Sequence, residues 1–136
     1  MANINNPYQI YRQTQIKTAS QGDLVLMLYD GAIRFIKQAE VALDEKNWEE
    51  SCNYLVRAQD IVEELDQTLD LSVGEVAENL HRAYRSMKYL LVRANMQKDP
   101  ILAERVCKMM EKLRSAWTVV FGSPQGNRSR EESISV

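Results

Sequence analysis

Histidine occurs once in these 136 residues, cysteine twice, proline three times and glycine five times. Each scarcity excludes something. Cys52 and Cys107 are too few and too far apart for a disulfide framework or a Cys-x-x-Cys zinc site, so two reduced, buried thiols are expected. Few glycines and prolines leave few chain breaks, which predicts few and long elements. No stretch approaches the ~20 apolar residues of a membrane span, and residues 1–11 lack the basic segment and apolar run of a signal peptide. No membrane insertion and a cytoplasmic location follow as expectations. Net charge is only −2, so the balance offers no excess of base for phosphate backbones, and nucleic acid is not an expected partner.

The motifs of catalysis are equally sparse. There is no Gly-rich phosphate loop, no Gly-x-Ser-x-Gly elbow, and no histidine beyond His81 to activate a nucleophile. Glu78-x-x-His81 is the ligand pair of di-iron bundles, but such a site needs the pair twice with two further glutamates. A phosphotransfer role for His81, beside Arg82 and Arg85, lacks the following Lys-Gly and the small neighbours that keep an imidazole open. The reading is a non-enzymatic protein with no cofactor and no metal.

What is present is helical periodicity. From a start signal at Ser20 and Asp23, Leu24, Met27, Leu28, Gly31, Phe35 and Ala42 recur at helical spacing, and Val25, Tyr29, Ala32 and Ile36 lie beside them, giving helix A two apolar faces. Asn47 and Glu50 mark a second start, followed by Trp48, Cys52, Leu55, Val62, Leu65 and Leu69. Ser72 and Glu75 repeat the signal before Val73, Val76, Ala77, Leu80, Tyr84, Met87, Leu91 and Ala94. Asp99 and Pro100 open a last helix through Leu102, Val106, Met109, Leu113, Trp117 and Val120 to Gly122. Long helices joined by short connections bury their stripes by lying antiparallel. The predicted fold is all-α: an antiparallel up-down four-helix bundle over residues 20–122. An irregular N-terminal arm over 1–19 precedes it, and a disordered C-terminal tail over 123–136 follows, with almost nothing to bury.

The second apolar face of helix A, with Tyr8 and Tyr11 in a polar arm, exceeds what such a bundle needs. Three readings stay open on composition alone. The arm packs on the bundle as a lid, helix A forms a homodimer face, or a groove accepts an amphipathic helix from another protein.

Several segments resemble a known family. The order Asn6-Pro7-Tyr8-x-x-Tyr11, Thr18-Ala19-Ser20-x-Gly22-Asp23-Leu24 and Leu26-Met27-Leu28-Tyr29-Asp30-Gly31-Ala32 is similar to the flagellin export chaperone (FliS) family. The likeness continues through Ala58-Gln59-Asp60-Ile61-Val62-x-Glu64-Leu65, Ala94-Asn95-x-x-Lys98-Asp99 and Ala116-Trp117, over roughly residues 6 to 120. Gln21 stands where the family usually has proline. Tyr84-Arg85-Ser86-Met87 stands where it often has Tyr-x-Tyr-Met, so one aromatic is missing at Ser86.

The resemblance implies a bacterial chaperone that binds the C-terminal segment of flagellin, prevents premature polymerisation and delivers it to the flagellar export gate of the type III apparatus, with other flagellar regulators as further candidate partners. On that basis Tyr8, Ile10 and Tyr11 are read as a displaceable cover, and Val25, Tyr29, Ile33 and Ile36 as groove-lining candidates. The alternatives are a homodimeric structural bundle and phosphotransfer at His81.

Overall fold

The computed structural model of the protein describes residues 21–121. The arm, the tail, the Ser20 cap and the Gly122 stop lie outside the described residues. Four helices follow in order: α1 Gln21–Asp44, α2 Trp48–Gln67, α3 Glu75–Gln97 and α4 Pro100–Phe121, with a 3-10 turn Leu71–Val73 before α3. No strand occurs among the described residues, and the all-α bundle stands as expected.

Cross-helix contacts give the direction of each helix. Phe35 stacks on Tyr54 at 6.3 Å between centroids, Lys37 meets Glu111 at 3.7 Å, and Asp30 pairs with Arg114. Between α2 and α3, Cys52 meets Asn95, Glu63 pairs with Lys88, and Asp66 meets His81. In each set one number rises as the other falls, so neighbours are antiparallel. Helix α1 packs against α2 and α4, and α3 against the same two. The closed ring explains the double apolar face of α1, because one face meets α2 and the other α4. Among the large apolar side chains of α1 only Val41 is exposed, and Met27, Ile33 and Phe35 are half-buried.

The core runs along the ring axis through Tyr29, Ile36, Leu55, Leu65, Met87, Leu91 and Met110, all essentially inaccessible. Gly31 brings α1 and α2 together: a Cβ there would sit 3.3 Å from Ile61 Cδ1, tighter than ordinary contact.

The helix ends show how a glycine-poor chain makes its turns. Lys46 and Lys98 both adopt positive φ, 60° and 54°, the conformation usually given to glycine after a helix. Asn47 N–H then donates to Ala42 C=O at 2.8 Å, and Asp99 N–H to Ala94 C=O at 3.0 Å, closing both turns. Asn47 Oδ1 accepts from Glu50 N–H at 3.3 Å and caps α2, and Asp99 Oδ1 accepts from Ile101 N–H at 2.9 Å at the start of α4. Both were legible start signals.

The third start differs from the sequence reading. Ser72 does not cap α3. Asp70 caps the 3-10 turn instead, its Oδ1 accepting from Ser72 N–H at 3.0 Å and from Ser72 Oγ–H at 2.5 Å. Gly74, at φ 117° and ψ −154°, then opens α3 without a side-chain cap. That backbone conformation is almost confined to glycine. Gly74→Ala is expected to cost roughly 1–3 kcal/mol, read as a lower urea midpoint with an unchanged slope.

Candidate functional site

Because α1 and α2 are joined by a short turn at one end of the bundle, as are α3 and α4, the opposite end gathers four helix ends without a tight hairpin between them. There the start of α1, the end of α2, the start of α3 and the end of α4 surround a cleft of about 240 Å³. Val25, Leu69, Val76, Leu80 and Trp117 supply its apolar walls, and Thr68 and Asp70 lie at the α2–α3 link. Val76 is 74% exposed on the rim, although it falls on the helical spacing of the inner face. The volume falls below the ~300–1,000 Å³ of small-molecule sites, so the cleft suits one or two apolar side chains of a longer ligand.

A hydrogen-bonded aromatic set backs this cleft. Tyr29 and Tyr84, from diagonally opposed helices, share a bond of 2.5 Å between hydroxyls, with ring centroids 6.4 Å apart. Trp117 Nε1–H donates to Tyr29 Oη at 3.0 Å. Burial pushes both phenols above their ordinary pKa, and for Tyr84 the neighbouring Tyr29 adds to the rise, so both stay neutral. The cleft thus has a floor whose hydroxyls already bond to one another, and its open face is mainly apolar.

Polar side-chain contacts tie neighbouring helices around the bundle. His81 Nδ1 lies 2.6 Å from Asp66 Oδ1. Glu63 bonds Lys88, which holds its carboxyl below the usual range. Arg114 bonds Asp30, and its second amino group reaches Asp30 Oδ2 at 3.3 Å, an arrangement that raises the guanidinium pKa.

Glu78 is exposed and His81 turns to Asp66, and among the described residues no group of three His, Cys, Asp or Glu is placed to hold a metal. Cys107 is buried, its thiol pushed up to about 12 by burial and then by Glu111, which leaves it protonated and inert. Cys52 is half-buried, not fully buried as expected, and accepts from Asn95 Nδ2 at 3.4 Å; both thiols are free.

Of the candidate binding residues, Val25 lines the cleft, while Tyr29 lies in the core beneath it. Ile36 is fully buried farther along α1, and Ile33 is half-buried against the core. The structure therefore does not gather these four into one open groove. Tyr8, Ile10 and Tyr11 lie outside the described residues. The walls formed by Leu69, Val76, Leu80 and Trp117 were read in sequence only as members of helical stripes. What singles them out is that three helix ends bring them together, and no stripe taken alone carries that signal.

Comparison with known proteins places the chain by its sequence. The family model described as Flagellar protein FliS matches residues 4–123. The Flagellar secretion chaperone FliS of Bacillus subtilis is 34% identical over 125 residues, covering 92% of this chain and 93% of that protein. The Campylobacter jejuni protein of the same name is 33% identical over 120 residues, covering 88% and 94%. That of Escherichia coli is 31% identical over 118 residues, covering 85% and 87%.

Proposed function

The chain belongs to the FliS family of flagellar proteins, a chaperone family and not an enzyme family, and from that premise we propose that it binds the C-terminal segment of flagellin in the cytosol. Binding masks apolar surfaces through which flagellin subunits would otherwise pair too early, and the complex is handed to the flagellar export gate. The observation that carries the reading is the apolar cleft over a hydrogen-bonded floor. Such a site takes apolar side chains from a longer chain and gives no foothold for bond-making chemistry.

The small volume of the cleft means that it anchors the flagellin segment without enclosing it. A segment that folds on binding loses several kcal/mol to ordering, so affinity comes from a long wrapped contact with the cleft as one anchoring point. No nucleotide is required.

The arm enters this reading through connectivity. Gln21 opens α1 at the cleft end. Tyr8, Ile10 and Tyr11 are apolar enough to cover the cleft when flagellin is absent and to leave when flagellin arrives.

Calorimetric titration with a peptide of flagellin's C-terminal segment tests the reading. One-to-one binding is expected, lost when the peptide's apolar positions are changed to serine. Deleting residues 1–16 is expected to leave the affinity unchanged or tighten it, because a competing cover is removed. An intact peptide that does not bind would sink the proposal, and a marked loss on deletion would make the arm part of the binding surface.

A further inference from the structure

Charge is unevenly distributed around the ring. Helix α2 carries Glu49, Glu50, Asp60, Glu63, Glu64 and Asp66 against Arg57 alone. From residue 82 to residue 98 the chain carries Arg82, Arg85, Lys88, Arg93 and Lys98 and no acid. Helix α4 adds Arg105, Lys108, Lys112 and Arg114 against Glu104 and Glu111. A chain of net charge −2 thus places nine of its seventeen Lys and Arg between residues 82 and 114, on two adjacent helices and the turn that joins them.

The register places that base along one seam. On α4, Leu102, Val106 and Met110 point inward, and Glu111 sits on the side that meets Lys37 of α1. Glu104 lies seven residues before Glu111, on the same side, and forms a 3.1 Å pair with Lys108. Arg105 and Lys112, also seven apart, therefore fall on the opposite side, toward α3. On α3, His81, Lys88 and Asn95 face α2, which leaves Arg82, Ser86, Tyr89 and Arg93 on the outer side, toward α4. The two helices thus raise basic ridges on either side of a shallow floor of exposed Ser86, buried Leu90 and half-buried Met109. Large apolar groups stand among the charges: Tyr89 is 60% exposed beneath Arg93, whose guanidinium lies 5.6 Å from the ring centroid, and Met96 and Ile101 are 77% and 66% exposed at the α3–α4 turn.

We propose that this α3–α4 groove is a second docking surface, separate from the cleft, and that its occupant is an amphipathic helix of a partner protein with acidic flanks. The apolar groups call for an apolar stripe on the occupant, and the basic ridges call for carboxylates on both sides of that stripe. Duplex nucleic acid satisfies only the second demand. Ser86 makes the floor shallow enough for a helix to approach, where an aromatic side chain would fill it. The proposal does not depend on flagellin binding at the cleft.

The test uses the full chain and a synthetic helical peptide with leucines along one face and glutamates along its flanks, beside a control in which lysine replaces every glutamate. In 15N-labelled protein the glutamate peptide is expected to shift the amides of Ser86, Tyr89, Arg93 and Arg105 and to leave those of Val25 and Leu69 in place, with affinity falling as salt rises. The pair Arg93→Glu and Arg105→Glu is expected to weaken binding at least about tenfold through like-charge repulsion. Ser86→Trp, at an exposed position that does not challenge folding, is expected to block the floor and remove binding. Equal binding of the lysine peptide, shifts confined to the cleft, tighter binding of a short oligonucleotide at the same face, or self-association that seats α2 of one copy on the groove of another would each overturn the proposal.

Discussion

Val76→Asp is expected to weaken binding of flagellin's C-terminal segment by at least tenfold, about 1.4 kcal/mol, while the melting temperature barely moves. The two halves of that result come from the same side chain seen in two states. In the free protein Val76 is 74% exposed, so an aspartate there keeps its water, and its place in the first turn of α3 lets the carboxylate meet the positive end of the helix. In the proposed complex apolar side chains of the ligand would cover the rim, and a carboxylate beneath them would lose hydration without gaining a partner. Calorimetric titration beside a thermal melt reads both quantities. An unchanged affinity would remove the cleft from the binding surface, and a parallel loss of stability would make the effect one of folding.

Tyr29→Phe is expected to be the more damaging of two single-atom deletions in the floor, at about 2 kcal/mol, with Tyr84→Phe near 1 kcal/mol. Tyr29 Oη both accepts from Trp117 Nε1–H and shares the short bond with Tyr84, so its loss breaks two bonds, whereas losing Tyr84 Oη breaks one bond to Tyr29 and leaves the 3.0 Å bond intact. The double phenylalanine variant is expected to cost less than the sum of the singles, since it removes both hydroxyls of the shared bond and orphans neither. Urea unfolding of the three variants gives the coupling energy directly. Equal costs for the two singles, with an additive double, would mean that the set does not act as a unit.

How much of this was legible beforehand follows from which level of structure each feature belongs to. Helix spans are local: the stripes of Leu55, Val62 and Leu65 or of Leu102 and Val106, the Asn47 cap and the Asp99-Pro100 start all appear in sequence as they appear in space. The misread start at Ser72 is a competition between two local acceptors. Asp70 reaches the Ser72 amide first, and Gly74 takes a conformation that only its lack of a side chain makes cheap. The double face of α1 was visible, but its meaning was not, because a single helix cannot show whether its second face meets a neighbour in the same chain or in another. The cleft was least legible of all. Val25, Trp117 and the Leu69–Val76 pair are distant from one another in sequence and share no motif; only the closure of the ring makes them neighbours.

The two lysine turns and the Gly74 link give the bundle a direction along its length. At one end Lys46 and Lys98 hold closed turns whose backbone bonds reach back into the preceding helices, while at the other the helix tips frame an open cleft. If the cleft takes a guest chain as proposed, that chain is received at the end without hairpin turns, while the far end keeps the helices in register. On the proposed reading, loading and release would both take place at one pole of the bundle.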